Sequence, residues 1–118
     1  MAIAFFVVVM QGYVVLIPAF RWCQPLVLPV SEDGVWQELC GSMDLQRFVS
    51  KDIEALTVDD GRERHLNTLA MDFMETNRFQ QWRGISLYQD VLIVARGLQP
   101  MTEKQARYVK KCVMETQL

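Results

Sequence analysis

Residues 1–31 contain a single charged side chain, Arg21. The chain's other Lys, Arg, Asp and Glu residues all lie in 32–118. An uncharged stretch of that length must be buried in a protein core or in a membrane, because that much exposed apolar surface is too costly in water. This one feature constrains the fold more than any motif in the sequence.

Residues 1–20 are long enough to span a bilayer. Their content favours another state. Gln11 and Gly12 interrupt the run, Pro18 lies near its end, and Val7, Val8, Val9, Val14, Val15 and Ile17 are β-branched, a strand-forming set. The segment therefore reads as two strands, 2–10 and 13–20, hinged at Gln11-Gly12. A membrane helix over 1–20 is the alternative. A cleaved signal peptide is disfavoured: no Lys or Arg precedes the apolar run, and Phe20 and Trp22 stand where small residues belong. Neither strand alternates apolar with polar residues, so both faces need cover. Residues 23–31 continue as an extended piece, and Pro25 and Pro29 keep it at a sheet edge or in polyproline form.

From residue 32 the pattern turns helical. Trp36 and Leu39 begin a short apolar face. Ser42 or Asp44 can cap a helix whose stripe is Leu45, Phe48, Val49, Ile53 and Leu56. Asp52 falls inside that stripe. The favoured reading interrupts the helix and puts Asp52 in the first turn of a second short helix capped by Ser50; the alternative is a buried carboxylate paired with Arg47 or Arg62. The turn at 58–61 is followed by a helix over 62–77, with Leu66, Leu69, Ala70, Phe73 and Met74 at helical spacing. A further helix runs from the Ser86 cap to Gly97 through Leu87, Tyr88, Val91, Leu92, Val94 and Ala95. Thr102 and Gln105 form a capping box for the last helix, whose buried stripe is Ala106, Val109, Cys112 and Val113. The expected fold is α+β. A hydrophobic N-terminal β-hairpin or small sheet packs on four to five helices, and the last two form an antiparallel helical hairpin. One domain is expected over 1–118, with an extended hydrophobic part (1–31) and a helical part (32–118).

Charge changes sign along the chain. Residues 1–60 carry a net −5 and residues 61–118 a net +3, and within 78–111 seven basic residues face two acidic ones. On the last helix Lys104, Arg107, Tyr108 and Lys111 share the face opposite the apolar stripe. With Arg83, Arg96 and Trp82 they make a candidate surface for an acidic partner, a protein surface or a nucleic acid whose bases could stack on Trp82 and Tyr108. The acidic chain as a whole, with a pI near 5.3, weakens the nucleic-acid option.

Asp59, Asp60, Glu63 and His65 are weak candidate metal ligands, and a metal-dependent hydrolase is the reading they would support. Their spacing matches no established motif, and helix capping explains the two aspartates as well. No Walker loop, GxGxxG or GxSxG elbow is present, so no cofactor is expected. Cys23, Cys40 and Cys112 are odd in number and form no CxxC pair, which suits buried or free thiols in a reducing cytoplasm. The expectation is thus a small non-enzymatic interaction or regulatory protein in the cytoplasm. It would bind an acidic partner through the C-terminal helices and could self-associate through residues 1–31. A single-pass membrane-anchored protein is the alternative, with Arg21 as a weak inner-side charge.

Overall fold

The structure, a computed structural model, describes residues 12–20, 23–30, 45–58, 65–80, 82 and 84–116. These residues form five strands and two helices. In chain order they are β1 (Tyr13–Ile17), β2 (Leu26–Pro29), β3 (Leu45–Val49), β4 (Ile53–Val58), α1 (Thr68–Thr76), β5 (Val91–Ala95) and α2 (Glu103–Glu115). The strands make one antiparallel sheet in the order β2-β1-β5-β4-β3. The fold is dominated by that sheet. This corrects the expectation of a small sheet packed on four to five helices ending in a helical hairpin.

The correction falls on two segments. Leu45 to Leu56 is a β-hairpin in place of a helix: β3 and β4 pair from Leu45↔Val58 to Val49↔Glu54 around a turn at Ser50, Lys51 and Asp52. The segment expected as a helix from Ser86 to Gly97 contains β5, a central strand between β1 and β4. Residues 84–90 precede it in irregular conformation. β5 has the sequence VLIVA, and its first four residues are all buried. A strand covered on both faces is a continuous apolar run, and a short run of this kind is compatible with either period. The final helix therefore follows a strand, and no helical hairpin forms there.

Other expectations agree with the fold. β1 lies within 13–20, and Gly12 before it has φ +135°. β2 is an edge strand, the first of the two states that Pro25 and Pro29 allow. α1 lies within 62–77 but starts at Thr68 with Asn67 as its cap. The strand expected at 2–10 and the apolar face at Trp36 and Leu39 lie outside the described residues. Tyr13–Ile17 is hydrogen-bonded into the sheet, so no single helix runs through 1–20. Among the described residues no helix is long and apolar enough to cross a membrane.

Side chains alternate across the sheet and build a cluster on each face. On one face Val15, Ile17, Ala55, Val91 and Ile93 pack against Ala70, Phe73 and Met74 of α1 and Ala106, Val109 and Val113 of α2. On the other face lie Val14, Leu56, Leu92 and Val94, with Leu16, Leu28, Leu45 and Leu98 packed against them. Both clusters contain fully buried side chains. Asn67, also buried, ties three pieces together. Its Oδ1 accepts the Ala70 N–H (3.1 Å), and its Nδ2 donates to the carbonyls of Ile17 (3.1 Å) and Gln89 (2.9 Å).

The second face carries a buried carboxylate, but it belongs to Glu54. Glu54 Oε1 accepts from Arg47 Nη2 at 2.7 Å, and Oε2 accepts the Leu98 N–H at 2.9 Å. Both oxygens are satisfied, as a buried charge demands. Asp52 is exposed in the β3–β4 turn, so neither the short helix capped by Ser50 nor an Asp52–Arg47 pair forms; Arg62 lies outside the described residues. Arg47 was one of the two partners considered; it pairs with a different carboxylate.

Candidate functional site

α2 begins where the sequence places it. The Thr102 side chain accepts the Gln105 N–H, and the Gln105 side chain accepts the Thr102 N–H, a closed capping box. This sets the rotation of the helix. Ala106, Val109 and Val113 turn to the sheet, while Lys104, Arg107, Tyr108 and Lys111 are exposed. Tyr108 leaves 68% of its surface open. Arg107 is engaged with Glu103, its Nη2 donating to Glu103 Oε1 at 2.8 Å, and this contact holds the Glu103 carboxyl below its usual range. Hydrogen bonding to Cys112, one turn on, pushes the Tyr108 phenol above its ordinary value; the Cys112 charge, burial and Glu115 act in the same direction.

A groove of about 610 Å³ runs between α2, the end of α1 and the β3–β4 turn. Its floor is apolar: Ile53, Phe73, Ala95, Met101 and Val109. One wall is α2, with Lys104, Tyr108 and Cys112; the other is the turn, with Lys51 and Asp52. The turn is held rigidly. Ser50 Oγ donates to the Asn77 carbonyl at the end of α1 (2.8 Å), and the Arg96 N–H donates to the Asp52 carbonyl (3.0 Å). Arg96 Nη1 also reaches the Lys51 carbonyl at 3.3 Å, which places a third cation beside the groove.

The structure thus gathers Lys104 and Tyr108 at the groove, Arg96 at its end, and Arg107 and Lys111 on the adjoining helix face. Trp82 is elsewhere. It is 6% exposed, its Nε1 donates to the Ile85 carbonyl (3.1 Å), and it packs in the helical-face core, so it offers no stacking surface. Arg83 lies outside the described residues, as do Asp59, Asp60 and Glu63. His65, the remaining weak metal candidate, is exposed and meets Phe20 edge-on at 5.1 Å between ring centroids. Among the described residues no group of three potential ligands converges on one point. Cys23 and Cys112 are free thiols.

Sequence reasoning missed Lys51, Asp52 and the floor of the groove. A signal existed. Ser-Lys-Asp at 50–52 is a polar interruption between Phe48-Val49 and a run with three β-branched residues, Ile53, Thr57 and Val58, a pattern compatible with a hairpin. No protein-family model matches the chain, and no curated protein or solved structure is found to be similar to it.

Proposed function

We propose that this protein is a small, non-enzymatic binding module whose partner is an acidic protein surface docked on the exposed face of α2. One observation carries the reading: Lys104, Tyr108 and Lys111 stand together in solvent on one face of a well-capped helix, with Arg96 close by at the sheet end. Cations clustered on one face of an otherwise acidic chain form a local attractive field for a negatively charged partner. A protein partner is favoured over nucleic acid because the buried Trp82 removes one of the two stacking aromatics. The sequence's lack of a catalytic motif suits a binding role, and the free thiols of Cys23 and Cys112 suit a reducing compartment such as the cytoplasm.

The test compares retention of the full chain on immobilised polyglutamate and on immobilised single-stranded DNA as salt is raised. Retention on polyglutamate at low salt is expected, with elution at moderate salt and loss in the Lys104→Glu/Lys111→Glu variant. Stronger retention on DNA would hand the surface to nucleic acid. Absence of retention on both would end the proposal.

A further inference from the structure

We propose that the acidic partner anchors one large apolar side chain in the groove between α2 and the β3–β4 turn, with acidic residues on either side of that anchor meeting Lys104 and Lys51. This rests on the reading of α2 as the partner surface and names what that partner must contain.

The groove has three properties that together select such a segment. Its floor is apolar, and Ile53 and Ala95 on it and Cys112 on the helix wall remain partly exposed, so an apolar group placed there removes surface from water on both sides. Its volume, about 610 Å³, accommodates one large side chain with room for the peptide backbone on either side of it. Its two walls each carry a lysine, Lys51 on the turn and Lys104 on the helix, against one lining carboxylate, Asp52. No ion pair with the described residues occupies either lysine. A segment with negative charge on both sides of an apolar residue is complementary to this arrangement, and a basic segment is repelled. The turn wall is held in place by the Ser50–Asn77 and Arg96–Asp52 hydrogen bonds, so little ordering of its backbone is needed on binding.

Cys112 lines the groove and reports on it. The experiment pans a randomised twelve-residue peptide library against the full chain, then studies the best peptide in a Cys23→Ser/Cys40→Ser background. Enriched peptides are expected to hold one large apolar residue flanked by Asp or Glu. The bound peptide should slow alkylation of Cys112. Replacing its apolar residue by Ala should weaken binding about tenfold or more, the usual loss for a buried anchor. If acidic peptides bind but the Ala peptide binds equally and Cys112 stays reactive, the groove is not the anchor site, while the α2 reading stands. If enriched peptides shield Cys112 but are uncharged or basic, the acidic partner is wrong and so is the inference. If acidic peptides bind and the Lys104→Glu/Lys111→Glu variant binds them as well as the unchanged protein, the α2 reading itself falls. Enrichment of no peptide overturns the inference.

Discussion

At residue scale, two backbone positions carry opposite expectations. Arg78 follows α1 in the left-handed region, φ 53°. The Phe79 N–H reaches back to the Met74 carbonyl (3.1 Å) and the Arg78 N–H to the Glu75 carbonyl (3.2 Å). Phe79 then packs against Phe73, with ring centroids 5.9 Å apart. This is a Schellman ending with arginine where glycine usually stands. Arg78→Gly should raise stability by about 1 kcal/mol, seen as a higher urea midpoint at unchanged slope. Gly12 is the reverse case. At φ +135° an added Cβ would lie 2.7 Å from the Met101 carbonyl oxygen and 2.8 Å from Pro100 Cβ. Both neighbours belong to the segment that pairs with Tyr13 through two 2.8 Å backbone bonds. Gly12→Ala should therefore cost about 2 kcal/mol or more, and the same urea titration reads it.

At the scale of elements, what could be read from sequence depended on how local the deciding interaction is. The start of α2 was legible because Thr102 and Gln105 satisfy each other's backbone within one turn. Thr102→Ala should lose about 1 kcal/mol of stability and fray the turn that carries Lys104, detectable as faster amide exchange in the first turn of α2. β3, β4 and β5 were not legible. Leu45, Phe48, Val49, Ile53 and Leu56 fit helical spacing, and Leu45, Phe48, Ile53 and Leu56 also fit a hairpin that sends apolar side chains into clusters on both faces of the sheet. In β5, Val91, Ile93 and Val94 favour a strand, but five apolar residues in a row show no period of two. α1 was found but placed with an earlier start. Its cap, Asn67, is set by carbonyls of Ile17 and Gln89, which are distant in sequence.

At the scale of the whole molecule, the sparsely charged N-terminal third raised the question of a second copy. For the described strands that need does not arise, because Val15 and Ile17 on one face and Val14 on the other are buried within a single chain. The expected outcome of light scattering or sedimentation is a mass of 13.7 kDa at all concentrations tested. A mass that doubles with concentration would support self-association through residues 1–31 instead. The edge strand β2, where Leu26 is 45% exposed, is then the place to introduce a charge.

Three features are written locally in the chain: β1 needs cover on both faces, the Pro25–Pro29 segment suits a sheet edge or polyproline form, and the last helix begins after Thr102. Each follows from residues that act on their immediate neighbours: an uncharged β-branched run, prolines without an N–H, a reciprocal cap. Long-range packing decides that 45–49, 53–58 and 91–95 are strands, that Glu54 and not Asp52 is the buried carboxylate, and that Lys51 and Lys104 line one apolar groove. The groove is assembled from elements far apart in the chain, and the strands and the buried charge depend on distant residues as well. A short apolar run takes its conformation from whatever packs on its faces, and a buried charge survives where the fold brings partners to it, so neither is encoded within a few residues of the site.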